Sequence, residues 1–121
     1  MFQVQTDTAR NVLRIILSQE VERTQARQCR EKIEVLLPEL QPGFQLLTDL
    51  SRLDRMDYAC ATEIRVIMDL CQKKGVSKVI RVIPDPHKDI GFRLMSFFHY
   101  GRDVPIVTCE TLAEAEEKLS T

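Results

Sequence analysis

The chain has 121 residues, a length at which a single domain can bury a core without disulfides or metal ions. Its formal net charge of −1 gives no general attraction to nucleic acid or to an anionic membrane. The sequence contains no apolar run of the ~18 residues that a membrane span needs and no signal-peptide pattern, so we expect a cytoplasmic protein. The four cysteines lack metal-site spacing, and we expect them to be reduced and buried.

The first third of the chain predicts two strands and a helix. Residues 1–6 alternate apolar and polar side chains, which is typical of a strand with one exposed face. Residues 12–17 are mostly apolar and predict a second strand. Because only a short polar segment separates the two strands, we expect them to pair as a hairpin. Residues 18–40 carry an apolar stripe at helical spacing, and Pro38 indicates where that helix ends.

The middle of the chain predicts a buried strand, a charged loop and a helix. Residues 44–50 form a short apolar run, and residues 51–57 read as a loop with several charges. Apolar residues over 61–71 then recur at helical steps, and Asp57 stands where a helix N-cap should. Gly75 is suited to end this helix. In open α/β folds, ligands and partners gather at such a strand–helix junction.

The remainder predicts two more strands and two more helices. We expect strands at 76–83 and 104–108 and helices at 88–100 and 111–119. Pro105 lacks an N–H group, so the last strand should lie at an edge of the sheet. The order ββαβαβαβα predicts an α/β fold with one domain over residues 1–121. Its mostly parallel sheet has about five strands, and the first strand is antiparallel.

Several short motifs match the pattern of a known family. Asp49-Leu50-Ser51, Leu53 and Met56-Asp57 match that pattern around the junction, and Lys74-Gly75 and residues 111–115 match its later elements. On these residues the chain resembles a STAS domain, the family of sulfate transporters and anti-sigma factor antagonists. The resemblance covers nearly the whole chain and implies a STAS-like fold.

One position departs from the family pattern. In the anti-sigma factor antagonists of this family, the second residue after the loop aspartate is a serine that the partner kinase phosphorylates. Here that position is Ala59, preceded by Tyr58 and followed by Cys60. The resemblance therefore implies a protein-binding scaffold that lacks the usual phosphorylatable serine.

We predict that the surface around the junction binds a regulatory protein partner. A tyrosine ring at a rim suits an interface anchor, and arginines can pair with the acidic groups of a partner. The predicted partner-binding residues are Asp49, Ser51, Arg52, Asp54, Arg55, Asp57, Tyr58, Ala59 and Cys60. An anti-sigma-factor-like kinase or phosphatase is one candidate partner, and a second copy of the chain is another.

The same residues allow other interpretations. The acids Asp49, Asp54 and Asp57 are the types that bind magnesium or transfer protons, but capping and solvation explain them more simply. Cys60 lies where a helix dipole lowers a thiol pKa, although a small apolar filler is the simpler explanation. We therefore predict no catalytic residue, no metal and no cofactor. The main alternative to protein binding is a sensor of small molecules, nucleotides or anions that uses the same region.

Overall fold

The structure is a computed structural model, and it describes residues 1–83 and 103–119. Two short 3₁₀ turns span Leu37–Glu39 and Tyr58–Cys60. The helix predicted at 88–100 lies outside the described residues. The elements in chain order are β1 (Phe2–Asp7), β2 (Val12–Val21), α1 (Arg23–Leu36), β3 (Gln45–Met56), α2 (Ala61–Lys74), β4 (Lys78–Val82), β5 (Ile106–Cys109) and α3 (Leu112–Lys118).

The strands form one mixed sheet in the order β1-β2-β3-β4-β5. β1 pairs with β2 in the antiparallel sense, and the other three pairings are parallel. The predicted fold class is therefore confirmed, and β3 lies at the centre of the sheet. Pro105 immediately precedes the edge strand β5, and its carbonyl accepts the N–H of Val79 at 2.9 Å. The predicted edge position of this segment is confirmed as well.

The helices lie on the two faces of the sheet. Adjacent residues of a strand point to opposite faces, and β3 accordingly contributes Leu46 to one core cluster and Leu47 to another. The first cluster contains the buried side chains of α1 and α2, and the second contains Ala115 of α3. Ile80 of β4 belongs to the second cluster and is fully buried, as its place in the sheet predicts.

Two predicted helix ends are present. Asp57 caps the turn before α2, because its carboxylate accepts the N–H of Ala59 at 3.1 Å. Gly75 ends α2 with a φ of 100°, a left-handed conformation that favours glycine. A Cβ at Gly75 would also lie 3.3 Å from Cβ of Pro42, so this position requires a small residue for two reasons.

Two predicted boundaries are wrong, and both errors concern β2 and β3. Residues 18–21 continue β2 rather than starting a helix, and residues 51–56 continue β3 rather than forming a loop. The two extensions pair with each other up to Val21 and Met56. The β3–β4 pairing ends earlier, at Asp49 and Val82. We call residues 18–21 and 52–56 the rim ribbon, because these paired segments extend past the end of the β3–β4 pairing.

The rim ribbon is irregular in register. Two steps along β2, from Ile16 to Ser18, match three steps along β3, from Asp49 to Arg52. A second shift lies between Gln19 and Glu20, and Gln19 adopts a left-handed φ of 58° there. Each shift gives β3 one extra residue, which is the geometry of a β-bulge. Residues 45–50 of β3 are all buried, whereas from Leu50 onward the buried side chains fall at every third position, on Leu50, Leu53 and Met56.

Candidate functional site

Most of the predicted site residues form one exposed stretch along the rim. Tyr58 is 58% exposed, whereas Cys60, in the same turn, is buried. Ser51 is half-buried. The exposed members are Arg52, Asp54, Arg55, Asp57, Tyr58 and Ala59. The structure thus displays this part of the predicted site on the β3 side of the rim ribbon and on the turn that follows it.

Asp49 is buried and supports the rim from within. Only 2% of Asp49 is exposed, and its Oδ1 accepts the Ser51 N–H at 2.9 Å and the Ser51 hydroxyl at 2.6 Å. These bonds satisfy the carboxylate locally, at the first register shift of β3. Asp49 therefore shapes the backbone that carries Arg52 and does not itself lie on the surface.

Cys60 is also buried. Its Sγ lies 3.5 Å from the carbonyl oxygen of Val21, which joins the turn before α2 to the end of β2. Burial, reinforced by the nearby charge of Asp57, raises the pKa of the Cys60 thiol to about 11. The thiol is therefore protonated at neutral pH, and this environment does not activate it as a nucleophile.

The turn that presents Tyr58 is fixed by backbone hydrogen bonds on both sides. The N–H of Asp57 donates to the Val21 carbonyl at 3.1 Å, and the N–H of Cys60 donates to the Asp57 carbonyl at 3.0 Å. The Asp57 carboxylate holds the N–H of Ala59 within the same turn. The Tyr58 side chain is thereby presented from an ordered backbone, which lowers the entropy that binding would cost.

The β2 side of the rim ribbon adds two exposed residues that the sequence interpretation missed. Gln19 and Glu20 are exposed, and Glu20 stands opposite Arg55 in the strand register.

A capping box marks the true start of α1, since the Glu22 N–H donates to Oε1 of Gln25 at 3.1 Å. This Glu-x-x-Gln spacing was the signal that could have separated residues 18–21 from the helix.

A partly buried ion pair joins α1 to α2. Glu63 lies in the first turn of α2, is 8% exposed, and accepts Nε of Arg30 at 2.5 Å. Arg30 also pairs with Glu34 within α1. The start of α2, which follows the Tyr58 turn, is thus tied to the middle of α1.

An internal cavity and a surface depression lie near the site. An apolar cavity of about 30 Å³, roughly the space of one water, lies between the sheet, α1 and α2. Its lining includes Val21, Met56 and Ala26. A polar surface depression of about 340 Å³ is lined by Arg23, Thr24, Arg27 and Glu63.

The described residues show neither a metal site nor a membrane span. Within residues 1–83 and 103–119, no three histidine, cysteine, aspartate or glutamate side chains are grouped to hold a metal ion. The helices of these same segments are too short or too polar to cross a membrane.

Comparison with known proteins identifies the fold. No family model matches the chain, and no curated protein matches it. Among solved structures, the anti-sigma factor antagonist SpoIIAA in its unphosphorylated form is 21% identical with a TM-score of 0.62, over 98% of this chain and 96% of SpoIIAA. The chain has the SpoIIAA fold. The phosphorylated form of SpoIIAA, a cell fate determinant of Bacillus, is also 21% identical, with a TM-score of 0.67 over 99% and 100% of the two chains.

A third structure extends the same result. An uncharacterised Shewanella loihica protein of the DUF3478 family, described as having a SpoIIAA-like fold, is 16% identical with a TM-score of 0.60 over 99% of this chain and 93% of that one. The predicted STAS-like fold is therefore confirmed. TM-scores of 0.60 to 0.67 over nearly the whole chain establish the architecture, whereas the binding roles of the individual rim residues stay predictions.

Proposed function

We propose that this chain is a non-enzymatic regulatory module that binds a protein partner through the rim ribbon and the Tyr58 turn. The observation that carries the proposal is the exposed Tyr58, presented from an ordered turn beside the exposed arginines of β3. Tyrosine and arginine are the residue types that most often dominate binding energy at interfaces. Such a regulator would act in the cytoplasm.

The fold adds a reason to choose a regulatory partner. SpoIIAA is an anti-sigma factor antagonist with a phosphorylated and an unphosphorylated form. We infer that this chain uses the same scaffold for protein contact without a phosphorylation switch at Ala59, which has no hydroxyl group. An anti-sigma-factor-like kinase or phosphatase is the kind of partner that this proposal favours.

A double substitution, Tyr58→Ala with Arg52→Glu, tests the binding surface. Both side chains are exposed, and Arg52 stands opposite Ser18 in the register, so the new carboxylate meets no acid across the ribbon. Arg55 is less suitable, because it stands opposite Glu20. We expect the variant to keep its fold and to lose its partners in affinity capture from the host, followed by identification of the captured proteins.

Val35→Ala is the matched control for this experiment. Val35 lies on α1 outside the proposed surface and is 74% exposed, so its truncation removes an exposed apolar side chain without touching the rim. The control should recover the same partners as the wild type. Recovery of those partners in equal yield by the double variant would show that binding occurs elsewhere.

The surface depression beside α2 supports a second candidate function, the sensing of small anions. Arg23, Arg27 and the hydroxyl of Thr24 line it and could bind an anion, whereas the carboxylate of Glu63 opposes one. Nucleotides or phosphate should then raise the melting temperature of the wild type, and Arg23→Ala should abolish that rise. An unchanged melting temperature with these compounds would leave protein binding as the better explanation.

A further inference from the structure

The outer edge of β1 has hydrogen-bonding groups directed away from the sheet. Met1 and Ser18 exchange two backbone hydrogen bonds, Ser18 N–H to the Met1 carbonyl at 2.9 Å and the Met1 amino group to the Ser18 carbonyl at 2.7 Å. In an antiparallel pair such exchanging positions alternate along the strand, so Gln3 and Gln5 face β2 in the same way. The backbone groups of the residues between them must point outward, and these residues are Phe2, Val4 and Thr6.

This edge lacks the features that usually prevent strand pairing. Proteins protect exposed edges with charged side chains, proline, bulges or very short strands. Residues 2–6 contain no charge and no proline, and the β1–β2 register runs without a shift from Phe2 to Asp7. The opposite edge differs, since β5 has only four residues and follows Pro105.

The sequence of β1 is complementary to itself. If two copies of β1 paired in the antiparallel sense around Val4, Phe2 of each copy would stand opposite Thr6 of the other, and their outward backbone groups would bond. On the other face of the strand Gln3 would stand opposite Gln5, and both are exposed. Each contact would occur twice by symmetry, as a two-fold interface requires.

We propose that β1 is a homodimerisation edge, at which a second copy of this chain pairs to make one continuous sheet across both subunits. Residues 2–6 lie outside the rim ribbon, although the preceding Met1 bonds to Ser18 and Glu20 of that ribbon, so the dimer goes beyond the proposed function. The occupant is a second copy rather than another extended peptide, because the uncharged residues 2–6 match themselves about Val4 and meet their complement in every other copy. In the same pairing, the Asp7 that ends β1 would stand opposite Met1 of the other copy.

A charge-swap pair of variants tests both the interface and its register. In the Gln3→Lys, Gln5→Lys variant, lysine stands opposite lysine at two places, which should weaken association by about tenfold. In the matched Gln3→Lys, Gln5→Glu variant, lysine stands opposite glutamate in both places, so the dimer should be restored. Sedimentation velocity over a range of protein concentrations measures association. Gln5 also stands opposite Arg14 within the subunit, so thermal unfolding must show that each variant keeps the wild-type stability before its association is compared.

Each outcome bears on the proposal. A wild-type chain that stays monomeric at every concentration would overturn it, even if the edge bound an unrelated extended peptide. A double-lysine variant that associates like the wild type would exclude β1 as the interface. Failure of the lysine–glutamate variant to recover association would exclude antiparallel pairing centred on Val4. Weaker association of the double-lysine variant and restored association of the lysine–glutamate variant would support the dimer, its β1 interface and the antiparallel pairing centred on Val4.

Discussion

Arg30 of α1 donates its Nε–H to the buried carboxylate of Glu63 on α2, with 2.5 Å between the two atoms. The Glu63 side chain is 10% exposed, so its charge is partly removed from water and depends on this donor. The pair lies behind the Tyr58 turn, at the start of the helix that the turn leads into. The position of that turn therefore depends on a contact between two helices as well as on its own hydrogen bonds.

The first prediction compares this ion pair with an exposed one on the same helix. Arg30→Ala should lower the free energy of unfolding more than Arg27→Ala, because it leaves the Glu63 carboxylate buried without its donor. Arg27 is the matched control, since its pair with Glu31 spans 3.7 Å and both side chains are more than half exposed. Urea unfolding of the two variants measures the difference. Equal losses would mean that Arg30 contributes no more than a surface charge.

The second prediction concerns the core of the sheet. Ile80 is fully buried in β4, so Ile80→Ala should cost about 2–5 kcal/mol through lost burial and the cavity that remains. Ala59→Ser, at an exposed position, should cost well under ~1 kcal/mol. Denaturant unfolding ranks the two variants. A larger cost for Ala59→Ser would contradict the placement of both residues.

The third prediction concerns the apolar cavity between the sheet and the helices. Val21→Ile should fill part of it and raise the free energy of unfolding by up to about 0.8 kcal/mol, the value of one buried methylene. Val12→Ile is the control, because Val12 is fully buried in the other core cluster and does not line this cavity. That substitution should destabilise by about 1–3 kcal/mol through overpacking. Thermal unfolding measures the stability of both variants. A larger loss of stability for Val21→Ile than for Val12→Ile would contradict the position of the cavity.

The fourth prediction concerns modification of the Tyr58 turn. The wild type should carry no phosphate on residues 57–60 after treatment with an anti-sigma factor kinase, because Tyr58 supplies the turn's single hydroxyl and serine/threonine kinases do not use it. Intact-mass measurement and peptide mapping give the answer, with SpoIIAA as the positive control for kinase activity. A stoichiometric phosphotyrosine at Tyr58 would overturn this expectation.

The regular strands and helices could be predicted from the sequence, because their apolar residues recur at the period of a strand or of a helix. The alternation in residues 1–6, the helical steps over 61–71 and the Gly75 cap each correspond to an observed element. The mostly parallel pairing of the sheet followed from the strand–helix alternation. These are local patterns, and neighbouring elements do not override them.

The rim ribbon could not be predicted in the same way. Leu50, Leu53 and Met56 are buried at a spacing of three, which is neither the period of a strand nor that of a helix. That spacing arises from the two register shifts against β2, which are a tertiary feature. Asp49 was predicted to bind a partner, whereas its carboxylate is buried and accepts the N–H and the hydroxyl of Ser51.

The same spacing of three gives the rim unusual freedom to change. Between successive buried anchors, two consecutive residues lie at or near the surface, Ser51 with Arg52 and Asp54 with Arg55. An ordinary strand with one buried face would offer a single outward residue between anchors. Substitutions can therefore accumulate at Arg52, Asp54 and Arg55 without disturbing the anchors, whereas Ser51 is held by its bonds to the buried Asp49. The ribbon could acquire new partner specificities at these exposed positions while the packed sheet beneath it stays constant.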